Sequence, residues 1–179
     1  ADATLRAAGL VQVRTQQADA QALGMASARF DAAVCRLGLM FCAAPLQALQ
    51  EVHRALAPGG RFSALVFSRP ENNPCVTILM RTACRHAGVE PADPYAPGSL
   101  LSLGRPGLMA TLLQAAGFEQ VDVRALAAPL RTARCEDYVE FVRDSAAPVI
   151  AMLKPLAPGA RAAAWADITN QLMPFTTSQ

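Results

Sequence analysis

The residues of this chain that can do chemistry are few and far apart. Asp19 is a lone carboxylate in the polar stretch Gln16 to Arg29, which follows an alternating segment, Leu10 to Thr15. Arg36 follows the apolar run Phe30 to Cys35, and Ser68 to Asn73 (SRPENN) follows Arg61 to Phe67. These three loops matter because ligands in an open parallel sheet sit at the carboxyl ends of the strands. On spacing alone Asp19 reads as a helix N-cap or a solvated loop acid. Arg36 reads equally as a plain surface arginine. His53 and His86 fall within helical segments and read as surface or interface histidines. No Ser/His/Asp or Cys/His arrangement can be assembled. Neither GxGxxG nor GxxxxGK[ST] occurs, so a phosphate cradle has no sequence support. The five cysteines (35, 42, 75, 84 and 135) have no CxxC spacing and no neighbouring His cluster. They read as free thiols in a reducing cytosol, with no metal site.

The 179 residues are enough for one domain with a sizeable core. Apolar residues make up 53% and the mean hydropathy is +0.23, which argues against disorder. A net charge of +2 is too mild to imply a nucleic-acid or membrane partner. The basic residues are nearly all Arg, Lys154 being the exception, a usage that reads as genome composition. No apolar run reaches the roughly 18–20 residues that span a bilayer, and no signal peptide opens the sequence. A cytoplasmic protein is expected.

The elements that must position those loops alternate between strand and helix. Ala1 to Ala8 reads as the tail of a helix stopped by Gly9, then Leu10 to Thr15 as a strand and Phe30 to Cys35 as a buried strand. A helix starts at Pro45, with Leu46, Leu49, Val52 and Leu56 on one face. Pro58-Gly59-Gly60 is expected to end that helix and reverse the chain into a strand over Arg61 to Phe67. This makes a βαβ unit and a parallel sheet. Further helices are expected over Pro74 to Ala87, Pro106 to Ala116, Cys135 to Arg143 and Ala160 to Met173. Ala147 to Pro158 reads as a short helix and a turn. Gly88 to Gly104 reads as a loop and Phe118 to Ala125 as a strand. The pattern is α/β and single-domain.

Three consecutive stretches also carry a resemblance: QADAQALGMASARFDAAVC, RLGLMF and ALQEVHRALAPGGRF. With Glu51, Arg54, Leu56, Pro58, Gly59 and Gly60 in that order, the chain resembles the S-adenosylmethionine-dependent methyltransferases. The similarity is to the group that includes the ubiquinone and menaquinone biosynthesis enzymes. The later LLQAAGFEQVDV is similar to that family's helix before a late strand.

The resemblance implies a partial Rossmann-like sheet with flanking helices over residues 1–131, and a helical cap or insertion over 132–179. It implies S-adenosyl-L-methionine as cofactor. Asp19 would accept from the adenine amino group, the Ala20 N–H would meet the ring, and Arg36 and Leu37 would approach the cofactor. A small-molecule methyl acceptor would lie near Phe67 to Asn73. No catalytic residue can be named.

The family's Gly-rich loop and ribose-binding acid do not occur here, and PFTTSQ stops before its usual last strand. The chain therefore reads as truncated at both ends. Unpaired strand edges would then favour a homodimer. The alternatives are a non-catalytic binding or oligomerisation module of the same fold, and a nicotinamide-dependent oxidoreductase. Tyr138, Phe141, Val142, Ile150, Leu153, Trp165, Ile168 and Leu172 read as core by helical spacing. Tyr138 and Trp165 are also able to line a pocket for a flat acceptor.

Overall fold

The computed structural model describes residues 2–129 and 131–175. It is mixed α/β, with a small parallel sheet and seven α-helices among those residues. Helix α1 (Asp2–Ala7) ends before Gly9, which takes a left-handed φ of +71°. Strand β1 (Phe30–Arg36) leads through a 3₁₀ turn into α2 (Pro45–Ala55), which returns to strand β2 (Leu56–Leu65). Then come α3 (Pro74–Ala87), α4 (Leu108–Ala115), α5 (Cys135–Ser145), α6 (Ala147–Leu153) and α7 (Pro158–Leu172). The βαβ unit is thus present, and proline begins α2 and α3 at the positions expected of it.

Pro58-Gly59-Gly60 does a different job from the one expected. The helix already stops at Ala55, and Leu56 already pairs with Phe30. The next pair is Ala32 with Arg61, so the single residue Asp31 faces the stretch from Ala57 to Gly60. The Pro-Gly-Gly segment is therefore part of a four-residue bulge inside β2. Gly59 supplies a φ of +79°, and a Cβ on Gly60 would stand 2.8 Å from the Ala57 carbonyl oxygen.

Two expected strands are absent among the described residues. Leu10 to Thr15 makes no ladder, and Val11 is 84% exposed. Phe118 to Ala125 also makes none. Alternation marks a strand only when a neighbouring strand receives it, and among the described residues β1 and β2 pair with each other alone. Phe118 is nevertheless packed, stacked on Phe62 at 5.5 Å and edge-on to His53 at 5.0 Å. β1 is also not the buried strand expected. Cys35 and Phe62 face the interior, whereas Val34 on the other face is 79% exposed.

The apolar side chains gather in two clusters. One joins the inner sheet face to α2 and α4 through Leu39, Met40, Leu49, Leu103 and Met109. The other is helical, with Val139, Val149, Leu153, Trp165, Ile168 and Leu172 packed on Leu79 and Ala83 of α3. Most of the C-terminal residues read as core are buried there, but Phe141 is largely exposed. His86 bridges helices, its Nε2 lying 2.8 Å from Asp167 of α7, which also pairs with Arg85. The Tyr138 hydroxyl, hydrogen-bonded to Cys75, is pushed well above the usual phenol range by burial first and the nearby thiols second.

Thr82 is buried in α3, and its hydroxyl has no hydrogen-bond partner among the described residues. An orphaned buried hydroxyl costs stability that a methyl of similar shape would not. Thr82→Val is therefore expected to raise stability by about 1 kcal/mol. An unchanged or lowered urea midpoint would refute this.

Candidate functional site

The carboxyl ends of β1 and β2 lie side by side, with Arg36 opposite Leu65. Immediately beyond, Leu37 adopts a left-handed φ of +56° while its N–H donates to the Leu65 carbonyl at 2.9 Å. A leucine rarely accepts this conformation, and such strain tends to be kept where a chain must turn at a functional edge. The turn leads directly into Leu39 and Met40, both buried. Arg36 itself is exposed.

Asp19 stands on the neighbouring loop. Its carboxylate Oδ1 accepts from the Gln21 N–H at 2.9 Å, and its carbonyl accepts from the Ala22 N–H at 3.0 Å. This closes a tight turn in which both Asp19 and Ala20 are exposed. The Asp residue thus caps its own turn rather than a helix. The loop is brought against the β1–α2 connection, since Gln21 Oε1 accepts from the Ala44 N–H. Burial, and then the charges of Cys35 and Asp19, push the Cys42 thiol up, so these groups share one neighbourhood. The Asp19–Ala20 turn is therefore tied to the β1–α2 connection near Cys42 and Ala44, while Arg36 and Leu37 stand at the carboxyl end of β1.

Helix α2 holds that loop through Glu51 and Arg54, the two charged residues of its Glu-x-x-Arg run. Glu51 Oε2 accepts from the Leu23 N–H at 3.0 Å, and Glu51 and Arg54 form an ion pair at 2.7 Å. Arg54 also donates to the Met25 carbonyl at 2.8 Å and to Ser27 Oγ at 3.1 Å. The spacing Glu-x-x-Arg puts both groups on one helix face, which is the physical content of that signature. The contribution of Gln21 left no trace in the sequence.

The Arg54 hydrogen bond, aided by the Leu23 N–H, lowers the Glu51 carboxyl from 4.5 to about 2. A depressed carboxylate pKa stabilises the folded form above the unfolded value, and that stabilisation is lost as pH falls through the folded value. Hydrogen-exchange protection of the Leu23 amide is expected to hold above about pH 4.5 and to decay toward pH 2. Decay that is identical in Glu51→Gln would show that Glu51 is not the cause.

The third loop, after β2, is a closed turn. Asn73 Nδ2 donates to the carbonyls of Ser68 at 3.1 Å and Arg69 at 2.9 Å. Gly104 presses on it so closely that a Cβ there would lie 2.5 Å from the Ser68 carbonyl oxygen. The segment carrying Gly104 is tied to the other strand end, because Ser102 Oγ donates to the Met40 carbonyl at 3.0 Å. Nothing in the sequence singles out Gly104 from the other glycines of its loop. No cluster of three or more potential metal ligands occurs among the described residues. No helix among the described residues is long and apolar enough to cross a membrane.

A βαβ unit with its candidate loops at the carboxyl edge is Rossmann-like in class, and residues 1–64 match the family model described as a methyltransferase domain. Demethylmenaquinone methyltransferase of Deinococcus radiodurans is 32% identical over 116 residues, covering 60% of this chain and 48% of that protein. 2-phytyl-1,4-naphtoquinone methyltransferase of Thermosynechococcus vestitus is 32% identical over 118 residues, 62% of this chain and 52% of that protein. The ubiquinone/menaquinone biosynthesis C-methyltransferase of Rubrivivax gelatinosus is 32% identical over 123 residues, 65% and 49% respectively. The methyltransferase resemblance read from the residues is thus matched by sequence comparison. The chain spans about half the length of the curated relatives it matches.

Proposed function

We propose that this chain is part of a cytoplasmic S-adenosyl-L-methionine-dependent methyltransferase acting on a small molecule. The observation that carries the reading is the methyltransferase-domain match over residues 1–64, which contain the Asp19 loop and the turn after β1. In this reading residues 1–131 are the partial cofactor domain and 132–179 its helical cap. The quinone-directed names of the relatives favour a flat, apolar acceptor.

The residues present fit part of such a cofactor. Asp19 is exposed, and its Oδ2 has only a long 3.5 Å approach from Gln21 Nε2, leaving a lone pair for an amino group. The Ala20 N–H makes no hydrogen bond among the described residues. Leu37, in its strained turn, follows the carboxyl end of β1 directly. The cofactor supplies an electrophilic sulfonium methyl, so the protein's task is mainly to hold donor and acceptor in line. The acceptor belongs by this reading at the Ser68 to Asn73 turn.

Calorimetric titration with S-adenosylmethionine and S-adenosylhomocysteine tests the reading. Binding of both is expected, weakened about tenfold or more in Asp19→Ala, in line with loss of a hydrogen bond accepted by a charged group. No binding, or binding indifferent to Asp19, would overturn the cofactor assignment. It would favour the second reading, a binding or oligomerisation module. That alternative has its own support in the bare outer face of the sheet, where Val34 and Leu65 are exposed. Self-association through the free edges of β1 and β2 belongs to either reading. A monodisperse monomer in light scattering would remove it.

A further inference from the structure

Outside the sheet, a cleft of about 580 Å³ opens between α5, α6 and α7. Its lining joins three cations, Arg143, Lys154 and Arg161, to an apolar wall that includes Ile150, Leu153 and Trp165. No acidic residue lines it. None of the three cations forms an ion pair with a carboxylate among the described residues. Arg143 instead lies over the Trp165 ring, 5.3 Å from its centroid, and Arg161 leans toward the Lys154 carbonyl at 3.5 Å. The second cleft of the helical half is different in charge. It too is lined by arginines, but Arg85 there is committed to Asp167 and Glu90 joins the lining.

Converging like charges repel, and a protein that gathers three of them without a counter-charge leaves that repulsion for a ligand to relieve. The apolar wall fixes the rest of the ligand's chemistry. The volume suits a small molecule of ordinary ligand size. We propose that this cleft binds a small organic anion, with its acidic head between Lys154 and Arg161 and its apolar body against Ile150, Leu153 and Trp165. Arginine forks and the lysine ammonium supply charge-assisted hydrogen bonds to the head. Arg143, already stacked on the indole, closes one side. The site lies in the helical region and does not depend on the methyltransferase reading.

Decanoate is a suitable probe, with decan-1-ol as its uncharged counterpart. Trp165, the only tryptophan of the sequence, reports binding directly through its emission. Decanoate is expected to shift that emission and to bind at least about tenfold more tightly than decan-1-ol. Raising ionic strength from about 0.1 M to about 1 M, which shortens the screening length from about 10 to 3 Å, should weaken decanoate and leave the alcohol unaffected. Lys154→Gln with Arg161→Gln should remove the preference for the anion. Equal affinity for acid and alcohol would overturn the proposal. So would salt-independent binding in the unaltered chain, a result that needs no variant to fold. Binding to anionic phosphatidylglycerol vesicles without binding to free decanoate would replace the small ligand with a lipid surface.

Discussion

Ile168→Ala is expected to lower the unfolding free energy by about 2–5 kcal/mol, read from the urea midpoint at unchanged slope. Ile168 is fully buried in α7, inside the helical cluster formed with α3, α5 and α6. Removing three carbons there loses their transfer free energy and leaves a cavity that packed helices close only in part. The loss is a large share of the 5–15 kcal/mol typical of a domain. The exposed Phe141 of α5 is the internal comparison, since Phe141→Ala should cost well under 1 kcal/mol. Similar losses at the two positions would mean that α7 does not anchor this cluster.

The second large effect is expected at Gly104. Its φ is unremarkable, so the reason is space alone. An added methyl would overlap the Ser68 carbonyl oxygen at 2.5 Å and its carbon at 2.7 Å, with the Leu101 oxygen at 3.1 Å on the other side. All three are backbone atoms and cannot rotate aside. Gly104→Ala is expected to cost about 1–3 kcal/mol, the range for forced overpacking. It should also spread the Ser68 to Asn73 turn, where the acceptor is proposed to lie. Gly98→Ala provides the contrast: it has open space but a φ of +80°, so its cost is conformational and stays local. Amide chemical shifts of Asn72 and Asn73 should move in Gly104→Ala and stay in place in Gly98→Ala. Undisturbed shifts in Gly104→Ala would show that the turn has slack.

How much of this was legible in the sequence depends on where each element's partners lie. α3 matched residue for residue, because Pro74 opens it, apolar spacing carries it and Gly88 closes it with a φ of +66°. These are local signals. β1 and α2 were found for similar reasons. Leu10 to Thr15 and Phe118 to Ala125 failed because strands are made by neighbours, and alternation in the sequence is silent about whether a neighbour exists. At the candidate site, Asp19, Ala20, Arg36 and Leu37 were reached through family resemblance, with no local signal to rank them. What holds them was half visible. The Glu51–Arg54 pair stood inside a quoted motif, whereas Gln21 and Gly104 act across about 20 to 40 residues of chain through contacts that no spacing rule encodes.

The bulge in β2 has a mechanical consequence. A pair of strands with no further neighbours ordinarily slides, because each shift of register exchanges one set of hydrogen bonds for an equal set. Here the residues from Ala57 to Gly60 loop out opposite Asp31, fixed by the left-handed turn at Gly59 and the tight contact at Gly60. Sliding β2 along β1 would drag that loop into the ladder and swing Phe62 out of the core it shares with Phe118. The Pro-Gly-Gly segment therefore works as a ratchet pawl: the two strands can be peeled apart from their ends, but they cannot creep past one another.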